Sequence, residues 1–412
     1  MPAIKRILIL YADAGFGHRS AAFAVKKALE EIYGSTIHID IVNPLQDERT
    51  PFYLRDSQED YDTIIRSVPE LYRMGYEASD ASVPTLFVES ALILMLYDVL
   101  KDLVQKLNPD VIVTTYPIYQ APLDAIFTLE KINAPIAAVV TDLVDVHRIW
   151  FNVGVERLFV PTPAVQQQAL HYGLPEEKVV VTGIPVSTTI SNEHRSKAEI
   201  RESLSLDKEI FTLLVAGSKR VEGLPKILEG LNHSGHPILL VMVAGGDDDL
   251  YQQFRGVDWH VPVRIYNYVD FIPSLLRASD AIICKAGGLI VSEAMSAGLP
   301  LILINVLPGQ ESGNADYVVS NGAGELAENS QQLLEIVSHW LQNDRQIHSL
   351  RKTCSVNNGK PEASFQIARE IYNLSENKVT PRTVTHLFER SHLVSLLRKY
   401  RQKLQERIEQ LD

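Results

Sequence analysis

Short apolar runs of strand length recur along this chain. Most are followed by a glycine-rich or polar turn and then by a stretch with helical spacing. Residues 6–11 read as a strand, 20–33 as a helix and 36–42 as the next strand. Residues 47–80 are polar, tyrosine-rich and loosely helical, and look like an insertion. A long helical region covers 84–107. Further strands fall at 111–115, 136–141, 157–160 and 179–181. A second series begins at 211–216 and continues at 237–244, 263–265, 281–284 and 301–306, with a helix at 289–297.

Strands alternating with helices imply parallel sheets covered on both faces. The pattern predicts an α/β protein of two doubly wound, Rossmann-like domains. The linker falls where Thr182-Gly183-Ile184-Pro185 gives way to a polar stretch reaching Ser205. The expected divisions are 1–188, 189–360 and a helical tail at 361–412. In that tail Leu387, Leu393, Val394, Leu396, Leu397 and Tyr400 lie among Arg382, Arg390, Arg398, Lys399, Arg401 and Lys403. This is a basic amphipathic helix, suited to packing back on the first domain and to contact with anionic lipid.

Composition narrows the classes. A length of 412 residues exceeds one ordinary core, and 46% hydrophobic content is globular. A net charge of −12 argues against bulk nucleic-acid binding. Two cysteines, Cys284 and Cys354, make no disulfide framework and suit a reducing compartment. The longest apolar helix candidate, 86–99, is interrupted by Glu89 and Asp98 and is too short to span a bilayer. The chain is expected to be soluble or peripheral.

The densest chemistry lies between Asp280 and Gly324. A strand ends at Lys285-Ala286-Gly287-Gly288, where a helix begins at Leu289. Free amides and the positive helix end meet there, and Lys285 adds a point charge suited to phosphate. Glu293, one turn further in, suits two ribose hydroxyls. After the next strand comes Pro308-Gly309-Gln310-Glu311-Ser312-Gly313-Asn314, fitted to a hydroxyl-rich ligand. In the first half Asp13-Ala14-Gly15-Phe16-Gly17-His18 follows the first strand. No Lys-Ser/Thr follows, so it is no P-loop. Ser20 replaces the third glycine of a dinucleotide fingerprint, and Asp40 leaves a nicotinamide reading open. His18 fits a general base or a helix cap. A third cluster, Thr141-Asp142-Leu143-Val144-Asp145-Val146-His147, continues to Trp150-Phe151. It lacks the ligands to complete a metal shell. Asp247-Asp248-Asp249 contains Asp-x-Asp, which after two glycines fits a solvated loop.

Taken in order, these segments resemble the monogalactosyl- and glucosyl-diacylglycerol synthases, relatives of the lipid-II-forming N-acetylglucosaminyltransferases. The resemblance covers roughly the first 360 positions. It rests on Gly15-Phe16-Gly17-His18, Thr141-Asp142-Leu143 with His147 and Trp150-Phe151, Thr182-Gly183-Ile184-Pro185, and Ala216-Gly217-Ser218. Tyr268-Val269, Lys285-Ala286-Gly287-Gly288 with Glu293, and above all Pro308-Gly309-Gln310-Glu311-x-Gly313-Asn314 complete it. Phe16 departs from the small residues usual in the family's first loop. Lys219-Arg220 departs from the glycines usual after Gly217-Ser218.

The resemblance implies a GT-B fold with a deep interdomain cleft. It places donor binding at Gly17, Gly217, Ser218, Val269, Lys285, Ala286, Gly287, Gly288, Leu289, Glu293, Gln310, Glu311 and Asn314. His18 becomes the catalytic base, with Phe16, Asp142, His147 and Trp150 on the acceptor side. The implied reaction is inverting transfer of galactose or glucose from UDP-galactose or UDP-glucose to the sn-3 hydroxyl of 1,2-diacylglycerol. UDP-sugar serves as co-substrate, with no metal or other cofactor and no nucleic-acid partner. Residues 47–107 offer Tyr53, Tyr61, Tyr72, Met74 and Tyr76 for a membrane surface. The expected location is cytoplasmic, peripheral on the inner face of the cell membrane. An NAD-dependent oxidoreductase, a transferase for a soluble acceptor and a non-catalytic nucleotide-sugar sensor remain open alternatives.

Overall fold

A computed structural model describes residues 4–14, 16–55, 82–132, 134–218, 221, 223–307 and 311–376. Among them are two six-stranded, wholly parallel sheets. The first contains β1 (Lys5–Leu10), β2 (Ile37–Val42), β3 (Val111–Thr114), β4 (Ile136–Val139), β5 (Arg157–Val160) and β6 (Val179–Val181), in the order β2-β1-β3-β4-β5-β6. The second contains β7 (Phe211–Ala216), β8 (Ile238–Val243), β9 (Val263–Tyr266), β10 (Ala281–Cys284), β11 (Leu301–Leu303) and β12 (Gly324–Leu326), ordered β12-β11-β10-β7-β8-β9. The edge strand β12 escapes the apolar pattern. It has three residues, begins with glycine, and pairs only with β11.

Side-chain alternation along the strands divides the core. In β1, Ile7 and Ile9 face one helical layer while Leu8 and Leu10 face the other. In β10, Ala281 and Ile283 separate likewise from Ile282 and Cys284. These strands are buried on both faces, so they read as continuous apolar runs rather than alternating ones.

The chain crosses between domains twice. It leaves the first sheet after β6 through Gly183, whose φ of 95° suits glycine. It returns near Lys360 to form the helix Ala363–Glu376. The crossings brace each other, Ser364 Oγ donating to Val186 O at 2.5 Å and Ser191 Oγ to Pro361 O at 2.6 Å. The returning helix lays Phe365, Ile367, Ala368, Ile371 and Leu374 into the first domain's core. Each large aliphatic so buried contributes roughly 1.5–3 kcal/mol. The basic segment beyond Glu376 lies outside the described residues, as do Tyr61, Tyr72, Met74, Tyr76 and the Tyr53 side chain.

Candidate active site

In an open parallel sheet, ligands gather at the carboxyl edge where strand order reverses. Both sheets place their marked loops there. In the first, β1 and β3 adjoin at the reversal, and their carboxyl ends lead to His18 and to Thr115-Tyr116. In the second, β7 and β10 adjoin, leading to Gly217-Ser218 and to Lys285–Gly288.

His18 stands in the first turn of the helix Phe16–Tyr33. Its Nδ1 lies 2.8 Å from the carbonyl oxygen of Thr115 and 3.0 Å from Thr141 Oγ1. A carbonyl only accepts, so in the neutral ring Nδ1 carries the proton and Nε2 is the basic nitrogen. Thr115 grips the helix a second time, its hydroxyl donating to His18 O at 2.8 Å. The Tyr116 ring meets the imidazole edge to face at 4.9 Å, and buried Trp150 lies at 6.1 Å. Thr115 was not singled out from the sequence. Its signal, a threonine just beyond a buried strand, acquires meaning only when β3 is known to lie beside β1.

The donor-side turn is built from glycine and backbone. Gly287 caps the helix Gly288–Ser296 without any side-chain hydrogen bond. The amides of that first turn are therefore suited to an anion. A Cβ on Gly288 would stand 2.2 Å from Thr141 O, and one on Gly17 would stand 4.0 Å from Leu289 Cβ. Gly288 thus lets the first domain's Thr141 come against the donor helix, whereas a Cβ on Gly17 would make only an ordinary contact. At β7, Gly217 N donates to Val243 O at 2.8 Å, and a Cβ there would meet Leu250 at 2.6 Å. Ser218 O accepts from Val221 N at 2.9 Å. Val269 is buried after β9, in the core beneath the site.

Lys285 Nζ pairs with Glu311 Oε1 at 2.5 Å, and Glu311 Oε2 accepts from Leu307 N at 3.3 Å. Asn314 faces two ways. Its Oδ1 accepts from Leu143 N at 2.8 Å, and its Nδ2 donates to Ala286 O at 3.0 Å. Beside it Asp142 is pushed up to about 7, first by burial and then by Glu311's charge, with Lys285 and a hydrogen bond from Asn314 opposing. Burial alone pushes Glu293 up to about 7. Each carboxyl therefore changes charge near neutrality rather than in the usual carboxylate range.

Other expected residues have structural work. His147 Nδ1 accepts from Ile149 N at 3.2 Å, capping the short turn Arg148–Trp150. Asp247 caps the helix Asp248–Gly256 through Leu250 N, and Asp248 accepts from Asn267 at 2.6 Å. Cys284 is buried, and burial first of all pushes its thiol up to about 12. Gly15, Gln310 and the Phe16 side chain lie outside the described residues.

Paired Rossmann-like domains, with the loop that carries His18 lying against the glycine-capped, lysine-flanked helix end of the other domain, define the architecture of the GT-B glycosyltransferases. Comparisons with known proteins bear directly on this class. Residues 217–367 match the model of the glycosyltransferase family 28 C-terminal domain, and residues 18–186 match that of monogalactosyldiacylglycerol (MGDG) synthase. The chloroplastic monogalactosyldiacylglycerol synthase of Spinacia oleracea is 30% identical over 390 residues, covering 91% of this chain and 73% of the relative. Monogalactosyldiacylglycerol synthase 3 of Arabidopsis thaliana is 29% identical over 385 residues, covering 91% and 82%. The crystal structure of MurG from Acinetobacter baumannii shares the fold, with a TM-score of 0.58 at 16% identity, covering 90% of this chain and 99% of that one. The chain belongs to the monogalactosyldiacylglycerol synthase family. Nothing in these matches supports the nicotinamide alternative. No helix among the described residues is long and apolar enough to cross a membrane.

Proposed function

We propose that the enzyme transfers galactose from UDP-galactose to the free hydroxyl of 1,2-diacylglycerol, with inversion, yielding a β-galactosyl glycerolipid. The family supports both substrates. The observation that carries the mechanism is the His18 Nδ1 contact with Thr115 O, which supports Nε2 as the base.

The acceptor oxygen attacks the anomeric carbon of the sugar while Nε2 takes its proton. The bond from that carbon to the β-phosphate oxygen breaks, and its electron pair stays with UDP. The developing charge meets the amides of Gly288 and Leu289 and the Lys285 ammonium, so the reading requires no metal and no further cofactor. Glu293 accepts from the ribose hydroxyls, and the backbone at Val269 reads the uracil. Gly217 and Ser218 border the diphosphate, while Gln310 and Glu311 choose the sugar. The Lys285–Glu311 pair supports that division, since it holds a cation and a hydroxyl acceptor side by side.

The acceptor resides in a bilayer. The enzyme is therefore peripheral, on the cytoplasmic face of the cell membrane, with the basic tail meeting anionic lipid. The test is a radiolabelled comparison of UDP-galactose and UDP-glucose on diacylglycerol vesicles, with and without EDTA, read by thin-layer chromatography. A galactolipid insensitive to EDTA is expected. A glucolipid alone overturns the choice of sugar, and absence of any lipid product overturns the acceptor. Loss of product with EDTA overturns the metal-free reading.

A further inference from the structure

Gln120 is 1% exposed, and among the described residues neither its Nε2 nor its Oε1 has a hydrogen-bond partner. Buried amides are almost always paired, because each unpaired group forfeits about 1–3 kcal/mol of hydration. An apolar residue of the same size would avoid that loss, so the amide calls for a role outside folding.

Its position indicates which role. Gln120 opens the helix Gln120–Glu130, directly after the turn Pro117–Tyr119 that follows β3. The helix therefore begins at the carboxyl edge of the first sheet, at the same reversal of strand order that carries His18. Ring contacts link the base to the residue before Gln120: His18 to Tyr116 at 4.9 Å, then Tyr116 to Tyr119 at 5.7 Å. The turn Pro117–Tyr119 packs against Arg148–Trp150, and the helix packs along Ser82–Leu107. The amide thus belongs to a helix that packs on the turn Pro117–Tyr119 and on the helix Ser82–Leu107, within the first domain.

We propose that Gln120 is the residue that reads the acceptor's ester group, its Nε2 donating to an ester carbonyl of the glycerolipid. This rests on the acceptor proposed above. The chemistry fits on two counts. A diacylglycerol presents carbonyl acceptors and no charge, so a neutral amide recognises it without burying an ion. Three side-chain torsions separate the amide from the helix, so the direction of Nε2 is set by the rotamer and not by the backbone. A site built to donate a hydrogen bond discriminates against analogues that lack the acceptor atom.

The experiment compares kcat/KM for a 1,2-diacylglycerol and for its 1,2-dialkyl ether analogue, which keeps the hydroxyl but lacks both carbonyls. Wild type, Gln120→Leu and Gln120→Met are measured. Wild type is expected to prefer the ester by about 10-fold, and both variants to bring that ratio close to 1. Their UDP affinity and melting temperature should be unchanged, or the latter raised, since an unpaired buried amide has been replaced by carbon. A wild-type ratio near 1 overturns the proposal without any variant. An unchanged ratio in the variants overturns it too, and with a lowered melting temperature it marks Gln120 as the partner of a buried water. If wild type makes no lipid product from either acceptor, the acceptor reading fails with it, and the silence of the wild type distinguishes that case.

Discussion

Asn314 Oδ1 accepts a hydrogen bond from the backbone N–H of Leu143 at 2.8 Å, joining the first turn of the second domain's helix Ser312–Ser320 to the first domain's loop after β4. The same amide donates to Ala286 O in the phosphate turn. One buried side chain therefore ties the Lys285–Gly288 turn to the domain that carries His18. Two glycines complete the seam. A Cβ on Gly288 would strike Thr141 O, and one on Gly313 would stand 2.5 Å from an Asp145 carboxylate oxygen.

Replacing Asn314 by alanine leaves a buried N–H and a buried C=O without this partner. Each costs about 1–3 kcal/mol. The melting temperature is expected to fall by several degrees, at about 2–4 °C per kcal/mol for domains of this size. Calorimetry checks it, and an unchanged melting temperature would show that water takes over both bonds.

Gly288→Ala places a methyl group against a backbone oxygen that cannot rotate away. The domains must then part by a fraction of an ångström to an ångström, and misplacement on that scale costs about 100-fold in rate. A fall of that size in kcat, with UDP affinity changed less than about threefold by titration calorimetry, is expected. Full activity would mean that this seam is not the reactive arrangement.

His18→Ala removes the base and leaves the donor domain untouched. Turnover is expected to fall at least about 100-fold while UDP affinity stays near wild type. Thr141→Val removes the second neighbour of Nδ1 but keeps the Thr115 carbonyl, and should cost far less. Near-normal turnover of His18→Ala would take the base role from it.

Glu293 is raised by burial from the ordinary 4.5 to about 7. Its ionised form is the one that accepts two ribose hydroxyls, so UDP affinity should weaken as pH falls through about 7. Glu293→Gln should flatten that profile. Stability runs the other way. A carboxyl whose pKa is raised on folding adds stability that is full below about 4.5 and lost as pH rises to about 7. Melting curves at pH 5 and pH 8 should therefore show Glu293→Gln gaining more at pH 8. Equal shifts at both pH values would contradict the buried carboxyl.

Much of the candidate site's local layout is legible in the sequence. Lys285-Ala286-Gly287-Gly288 reads as an anion turn because a buried strand, two glycines and a helix start follow one another within a dozen residues. His18 reads as a candidate base because it follows the first strand at the length of a βα loop. Neither inference needs long-range information. Asn314 and His147 illustrate the limit. Their residue types suit ligand contact, yet the described bonds show Asn314 holding backbone from both domains and His147 capping a turn. Side-chain amides and imidazoles serve backbone and ligand equally well, and composition does not separate the two.

By itself the sequence determined the two parallel-sheet domains, because apolar period, glycine turns and helix starts act over a few neighbouring positions. Only the tertiary structure decided which nitrogen of His18 is basic, since Thr115 lies 97 residues away. It also decided that Asn314 bridges to Leu143 across 171 residues, and that Gln120 is buried with no hydrogen-bond partner among the described residues. Those relationships depend on strand order and domain approach, which bring together backbone groups whose identity the local sequence does not encode.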